Sequence, residues 1–222
     1  MRGQDIAPYV YSWAGEWVIT LEFGAHKYLE VQYPAIYAHL IQYEERLKAR
    51  GQCTNKPATE KKSYTGQHHW LELDNNPTRK YLELFEKEKL LWAETAKEPK
   101  FVLDREKYYT NKTCFMIMGD NLAYLNGVLN SKLTLWLLKR NCALLGDGFS
   151  MGKIFVEQLP IPKIDSANQS IADKIIALVE EILEKKKQDS ATDTTEPESQ
   201  INALVYTLYN LTDEEIKLIE KG

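Results

Sequence analysis

The sequence predicts a mixed α/β (α+β) fold, with a small mixed sheet, packed helices and a C-terminal helical hairpin. Short apolar and β-branched runs between residues 89 and 118, separated by turn residues, favour strands. Leucines at helical spacing fill residues 120–141, and a second apolar stripe runs from Ile171 to Leu183. A chain of 222 residues that is 44% hydrophobic can bury one sizeable core with an appendage. We therefore expect three regions, at residues 1–60, 61–164 and 165–222.

The N-terminal region is expected to hold a hairpin and a helix. Aromatic and β-branched runs at 9–13 and 16–23 flank Ala14-Gly15, which predicts two paired strands. Residues 34–50 have amphipathic helical spacing, and Pro34 suits the first turn. Residues 51–66 have neither the helical nor the strand periodicity, which indicates a long loop.

The central region alternates short elements. Residues 80–87 favour a short helix, and 89–94, 101–104 and 114–118 favour strands. A long apolar helix is expected over 120–141, weakened by Gly127 and interrupted by Asn130-Ser131. Residues 155–159 predict a last strand, which Pro160 and Pro162 would end.

The last 58 residues predict a helical hairpin. The stripe at 171–183 marks its first helix, the polar run 188–199 a connector, and Ile201 to Leu208 its second helix. Asn210 is expected to end that helix in the left-handed conformation. Thr212 and Glu215 have the spacing of a capping box that would open a short final helix.

Charge is unevenly distributed along the chain. The net charge is −4, yet residues 61–164 hold 16 basic and 12 acidic residues, whereas 165–222 hold 6 and 13. Because phosphate binding depends on local Lys and Arg, this balance is compatible with a nucleic-acid partner for the central region. Charges spread evenly over solvated faces remain the alternative.

The same composition bears on the chain's surroundings. Three widely separated cysteines indicate neither a disulfide framework nor a zinc site. No apolar run has the length of a membrane helix, and no secretory signal is evident, so we expect no membrane partner and a cytoplasmic location.

Motifs for catalysis are incomplete. Asn76-Pro77 continues with Thr78-Arg79, without the second proline and the ring that adenine methyltransferases stack on an extruded base. Glu98-Pro99-Lys100 matches the Glu-x-Lys motif of metal-dependent nucleases only in its letters. Pro99 would interrupt the strand that must present both side chains. Gly148 to Lys153 lacks phosphate-loop spacing, and His68-His69 has no partner ligand nearby. We therefore expect no catalytic, cofactor or metal site in this chain.

Several strings together resemble a known family. They are Leu129-Asn130-Ser131-Lys132-Leu133, the run 155–163, Phe85-Glu86-Lys87, Leu90-Leu91-Trp92 and Phe101-Val102-Leu103-Asp104. They resemble the TaqI-like C-terminal specificity domain of Type IIG restriction-modification enzymes. Arg2-Gly3-Gln4-Asp5-Ile6 is similar to the family's opening Arg-Gly-Arg-Asp-Ile, and the segment 66–73 to its first recognition strand.

The resemblance implies a function in phage defence. Such a domain selects a duplex DNA sequence for an N-terminal part of the same polypeptide, which methylates adenine, cleaves, or does both. It implies S-adenosylmethionine for that part, and Mg²⁺ if it also cleaves. The fragment itself is then expected to be catalytically inert.

Side chains that present hydrogen-bonding groups to bases or charge to phosphates are the candidate DNA contacts. They are Gln67, His68, His69, Asn75, Asn76, Arg79, Lys80, Lys97, Lys100, Asn111, Lys112, Arg140 and Lys153. Tyr108, Tyr109 and Phe149 are weighed as stacking residues, although core packing is the commoner role for such rings.

The sequence leaves two functions open besides DNA recognition. The chain could be a protein-interaction or scaffold module that works through its helical hairpin, which resembles the spacers of Type I specificity subunits. That hairpin could also support self-association. An independent hydrolase is the third alternative, although no convergent acidic cluster is evident.

Overall fold

A computed structural model describes residues 1–54, 64–75, 77–146 and 148–222. The chain forms two compact units: unit 1 comprises residues 1–16 and 85–222, and unit 2 comprises residues 17–84. The predicted mixed α+β class, with helices at the C-terminal end, is confirmed. The division into three functional regions stays a prediction. Among the described residues, no helix has both the length and the apolar character needed to span a bilayer.

The strands of the described chain are short and antiparallel. They are β1 (Ile6–Ala7), β2 (Val10–Tyr11), β3 (Lys89–Ala93), β4 (Thr95–Ala96), β5 (Phe101–Asp104), β6 (Cys114–Ile117), β7 (Leu144–Leu145) and β8 (Gly148–Ser150).

Helices make up most of the remaining regular structure. They are α1 (Leu29–Gln32), α2 (Pro34–Leu40), α3 (Glu44–Lys48), α4 (Gly51–Thr54), α5 (Arg79–Phe85), α6 (Leu122–Leu129), α7 (Lys132–Asn141), α8 (Lys153–Val156), α9 (Gln169–Gln188), α10 (Thr195–Leu208) and α11 (Asp213–Glu220).

The main sheet of unit 1 has the order β5-β3-β6. Leu90 of β3 is paired with Leu103 of β5 and with Ile117 of β6. All five residues of β3 are buried, as expected for a central strand. The three strands predicted for this region are therefore confirmed.

A buried ion pair closes one end of this sheet. The Nζ atom of Lys89 lies 2.6 Å from Oδ2 of Asp104, and both side chains are fully buried. Lys89 also donates to the carbonyl of Phe85, while Asp104 accepts from the N–H groups of Glu106 and Tyr108. The hydrogen bonds satisfy both charges, so that burial is tolerated.

The predicted helix over 120–141 is two helices, and the Asn-Ser break separates them. Asn130 accepts from the N–H of Phe101 at 2.9 Å and donates to its carbonyl at 2.8 Å, which ties the break to β5. The Ser131 hydroxyl caps α7 by accepting from the N–H of Thr134. Side-chain hydrogen bonds thus replace the helical bonds that the break removes.

The C-terminal helices form the predicted hairpin, and α9 and α10 pack on α6. Gly127 is the point of closest approach, since a Cβ atom there would lie 2.6 Å from Cγ2 of Ile175 and 3.0 Å from Cγ2 of Val179. The glycine that weakens α6 in sequence is therefore the contact that lets α9 approach. The left-handed Asn210 and the Thr212–Glu215 capping box are also confirmed.

Four element predictions are wrong in whole or in part. The connector predicted over 188–199 is shorter, because α10 already begins at Thr195. The N-terminal hairpin is β1–β2, with its turn at Pro8-Tyr9, and residues 16–23 form no strand. Residues 155–159 are not a strand either, because Val156 and Leu159 are buried with the three-residue spacing of α8 and the turn after it. The segment 69–73 forms turns instead of the expected first recognition strand.

Unit 2 is largely helical. The helix predicted over 34–50 exists as α2 and α3, joined by a 3-10 turn at Ile41–Tyr43. The small apolar core of unit 2 is built from Leu21, Ala25, Leu29 and Leu71. The predicted loop at 51–66 contains the short helix α4, and residues 55–63 lie outside the described residues.

Candidate nucleic-acid interface

Unit 1 carries a pocket of about 420 Å³ beside the edge of its main sheet. The N-terminal segment forms one wall, since Gly3 donates to Oγ1 of Thr113 and Asn111 donates to the carbonyl of Met1. A Cβ atom on Gly3 would lie 3.1 Å from both Cβ of Ala93 and the carbonyl of Thr113, so the close approach favours glycine. The polar side chains that line the pocket are those of Arg2, Gln4, Glu94, Thr95, Lys100, Asn111 and Thr113.

The charges around this pocket are partly paired. Arg2 lies 3.1 Å from Asp5 and 3.2 Å from Glu16, and Lys100 lies 4.0 Å from Glu98. Burial acts to raise the pKa of Asp5, but hydrogen bonds and charge from Arg2 bring that pKa below its usual value. Arg2 is therefore held in a fixed position, while Lys100, one-third exposed, remains accessible to an anion.

Two predicted contact residues, Lys100 and Asn111, are brought together in this pocket. The Asn111 side-chain oxygen accepts from the N–H and hydroxyl groups of Thr113, and the residue is exposed. Two further predicted contacts are exposed. Lys112 directly follows Asn111, and Lys97 directly follows β4.

Arg140 and Lys153 lie elsewhere on unit 1, at the end of α7 and the start of α8. The Arg140 guanidinium stacks on the Trp136 ring at 3.6 Å from its centroid and donates to the Trp136 carbonyl. Lys153 is exposed and lies 3.2 Å from Glu157.

Unit 2 is organised around a buried carboxylate. Glu72 is 2% exposed, and its Oε1 atom accepts from the N–H of Gly24 and lies 2.6 Å from Nδ1 of His26. Its Oε2 atom accepts from the N–H of His69. Arg50 donates to the carbonyls of Trp70 and Glu72, which fixes the chain on either side.

The two predicted histidine contacts belong to this scaffold. His68 is 8% exposed, and its backbone N–H donates to the carbonyl of Gln52. The His69 ring stacks on His26 at 4.5 Å, and its Nδ1 atom accepts from the N–H of Leu71. Burial and the charge of His26 lower the pKa of His69 to about 4. His68 therefore has little exposed surface for the predicted DNA contact, whereas His69 is only partly buried, with its ring against His26.

The other predicted contacts of unit 2 are exposed. Gln67 follows Gly66, whose φ of 79° and contact with the Cys53 backbone leave no room for a Cβ atom. Asn75 has a φ of 60° and accepts from Gln52 at 3.5 Å. Arg79 and Lys80 begin α5, and Arg79 lies 3.6 Å from Glu83. Asn76 lies outside the described residues.

Residues 1–161 match the family model of the TaqI-like C-terminal specificity domain. The chain belongs to this family. It is therefore a DNA-recognition specificity domain of the kind found in TaqI-like restriction-modification enzymes. No curated protein matches the sequence.

The match places every predicted contact residue inside the specificity domain, since these residues fall between positions 67 and 153. The helical hairpin from 165 onward lies beyond the matched residues, so its resemblance to Type I spacers stays a prediction. Contact of the individual side chains with DNA also stays a prediction.

Sequence reasoning missed Arg2 and Gln4 as residues that line the pocket of the specificity domain. They belong to the Arg2–Ile6 string that resembles the family's opening, and that string was the available signal. The rings weighed as stacking residues pack within unit 1: Phe149 is 4% exposed, Tyr109 stacks on Phe85, and Tyr108 meets Tyr11 edge-on. Among the described residues, no group of three or more His, Cys, Asp or Glu side chains could hold a metal ion.

Proposed function

We propose that this specificity domain selects the duplex sequence on which an N-terminal methyltransferase, nuclease or both, in the same polypeptide, acts as a Type IIG enzyme. The observation that carries the proposal is the unit 1 pocket, where Lys100, Asn111, Gln4 and Arg2 converge in a member of a DNA specificity family. This combination offers cations for phosphates and amides for base edges within one concavity.

The proposed mechanism is a division of labour. The N-terminal part would bind S-adenosylmethionine, act on an extruded adenine and use Mg²⁺ if it cleaves. This chain would hold the duplex, with Lys100 on a phosphate and the amides of Gln4 and Asn111 on base edges. The whole enzyme would be cytoplasmic and would act in defence against phage.

The structure gives less support to the rival function as a scaffold that works through its helical hairpin. The apolar stripe of α9 is used inside unit 1, where Ile175, Val179 and Ile182 are fully buried. A partner, or a second copy for self-association, would have to bind the polar outer faces of α9 and α10.

Selection from a randomised pool of duplexes tests the proposal directly. The purified chain should enrich one sequence, and its affinity for that sequence should fall by several orders of magnitude between about 50 mM and about 200 mM salt if many phosphates are contacted. Failure to enrich any sequence, or affinity that is independent of salt, would contradict the proposal.

Two substitutions distinguish contacts with phosphates from contacts with bases. Lys100→Gln should weaken binding to all duplexes and lower the salt slope by about 1, whereas Lys217→Gln on α11 should change neither. Asn111→Asp keeps the acceptor that Thr113 uses but removes the amide donor, so it should change the enriched sequence.

The absence of catalysis in this chain is a separate expectation. With S-adenosylmethionine and Mg²⁺ supplied, the purified chain should neither methylate nor cut the enriched duplex. Modification of that duplex would support the hydrolase or methyltransferase alternative.

A further inference from the structure

A second cavity of unit 1, here named the tyrosine pocket, is lined by residues of β2, β5, the segment after β5 and α9. Its volume is about 570 Å³, which is within the usual range of pockets for small organic ligands. The rings of Tyr9, Tyr11 and Tyr108 line it together with Leu103 and Leu183. It shares no lining residue with the candidate DNA pocket, so the two cavities are separate.

The edge of β5 at this pocket has an unpaired main-chain donor and acceptor. β5 pairs on one side only, with β3. Phe101 directs its N–H and carbonyl away from β3, since both are bonded to Asn130. Because alternate residues of an antiparallel strand direct these groups to the same side, Leu103 also directs its N–H and carbonyl away from β3. Among the described residues, neither group of Leu103 has a hydrogen-bond partner.

The burial of Leu103 makes this unpaired edge informative. Leu103 is 4% exposed, and buried main-chain polar groups are almost always paired with protein, water or a ligand. At Phe101, two residues earlier, one carboxamide satisfies the same two groups: Asn130 accepts from the N–H at 2.9 Å and donates to the carbonyl at 2.8 Å. A planar group that carries a donor beside an acceptor would therefore satisfy Leu103 in the same way.

The charges of the pocket are balanced. Arg105 is already bonded to Glu180 at 2.6 Å and to Glu88 at 2.7 Å. Three basic and three acidic residues line the pocket, namely Arg105, Lys186, Lys187, Glu106, Glu180 and Glu184. This lining has no excess of positive charge for a phosphate, so a neutral ring is favoured over a nucleotide or a DNA strand.

We propose that the tyrosine pocket binds an adenine nucleoside without a phosphate. The amino group of the base would donate to the carbonyl of Leu103, and the neighbouring ring nitrogen would accept from its N–H. Adenine has this donor beside an acceptor, and carboxamides such as that of Asn130 recognise it for the same reason. The partly exposed rings of Tyr11 and Tyr108 supply the aromatic surface that stabilises a base.

Nuclear magnetic resonance of the ¹⁵N-leucine-labelled chain tests the edge directly. In the free chain, the Leu103 amide should exchange with solvent faster than the amide of Leu91, which is bonded to Val102 across the sheet. Adenosine at about 1 mM should shift the Leu103 signal and slow its exchange, and it should leave Leu91 unchanged. The signal is assigned by its loss in Leu103→Met, a substitution that conserves volume.

A ligand series separates the hydrogen bonds from ring burial. N6,N6-dimethyladenosine keeps the ring but lacks the amino donor, so it should bind at least roughly tenfold more weakly than adenosine. Guanosine has a carbonyl where adenine has the amino group and should be weakened similarly. Adenosine monophosphate should bind no tighter than adenosine, because the charges of the pocket are balanced.

Tyr108→Ala tests the aromatic surface. Loss of this ring should weaken adenosine binding by roughly 5- to 150-fold if the base stacks on it. Tyr43→Ala is the control, because Tyr43 is 41% exposed and belongs to unit 2. If Tyr108→Ala has lost its folded circular dichroism spectrum, the ligand series on the wild-type chain decides the test.

The outcomes are independent of the proposed function, because they are measured without DNA. Slow exchange of the Leu103 amide in the free chain would show that the edge is already paired, and it would overturn the inference. An unchanged Leu103 signal with adenosine, or equal binding of the dimethyl analogue, overturns it too. Tighter binding of the monophosphate, or displacement of adenosine by the enriched duplex, would assign the pocket to a nucleotide or to DNA and overturn the nucleoside.

Discussion

The two units of this protein are stabilised in different ways. Unit 1 is held by apolar side chains of regular elements, with Leu90, Phe101 and Leu138 among its fully buried residues. Unit 2 has a small apolar core and a polar centre, in which Glu72, His26 and Arg50 connect loops through hydrogen bonds. Periodic sequence patterns therefore mark the first kind of stability, whereas the second kind has no periodic signature.

Unit 1 also contains buried polar contacts, among them the Lys89–Asp104 pair, and breaking this pair should have the largest effect. Lys89→Met leaves the Asp104 carboxylate buried without its cation, so the free energy of unfolding should fall by about 3–5 kcal/mol. Urea unfolding measures the change. Lys185→Met removes a half-exposed pair with Glu181 and should cost about 0.5 kcal/mol or less. A similar small loss for both variants would show that Asp104 is hydrated.

The polar centre of unit 2 is tested by Glu72→Gln. The amide cannot accept all the hydrogen bonds from Gly24, His26 and His69 that the carboxylate accepts, so unit 2 should lose about 2–3 kcal/mol. Hydrogen exchange of the amides in residues 17–54 and 64–75 should accelerate. Glu83→Gln, at an exposed position on α5, should leave exchange unchanged. Unaltered exchange in Glu72→Gln would mean that the apolar core alone holds unit 2.

Packing in unit 1 is tested by Gly127→Ala. The added Cβ would lie 2.6 Å from Ile175, and relieving that overlap should cost about 1–3 kcal/mol. Gly152→Ala is the control, since its nearest atom would lie 3.7 Å away. Thermal unfolding of both variants gives the comparison, and a stable Gly127→Ala variant would indicate that α6 and α9 adjust freely.

The smallest expected effect is a pH dependence of unit 2 through His69. Its pKa is about 4 in the folded protein, below the ordinary 6.5, because burial and His26 disfavour the charged ring. The unfolded chain therefore binds more protons between these values, so stability is full above about pH 6.5 and decreases as the pH falls toward about 4. Protonation at Nδ1 would also remove the hydrogen bond from Leu71.

Hydrogen exchange of the same amides at several pH values measures this dependence. His69→Gln should flatten it between about pH 6.5 and about 4. Greater stability of the wild type at the acidic end of that range would contradict the depressed pKa.

The sequence could predict most of unit 1. Strands β3, β5 and β6 and helices α9 and α10 follow from runs or periods long enough to define a buried face. It failed at short elements, where a two-residue strand such as β1 or the single turn of α8 has no period. The apolar spacing of Val156 and Leu159 fits a helical turn, whereas the whole run 155–159 predicts a strand.

For the candidate site, the sequence could select residue types but could not show their exposure. Lys100 and Asn111 meet in one pocket although 11 positions separate them, because the N-terminal segment lies against the strand edge. His68 and His69 have suitable chemistry for base contacts, yet the network of Glu72 draws this segment inward. Such networks depend on residues distant in sequence, such as His26 and Glu72.

The sequence alone determined the fold class, the family and the helical hairpin, since each depends on local periods or on ordered strings of residues. Only the tertiary structure decided which polar residues are buried, where Arg2 and Gln4 lie, and that Leu144 and Leu145 are exposed. Burial depends on which distant elements cover a side chain, and a leucine in an edge strand has the same local pattern as one in a core strand.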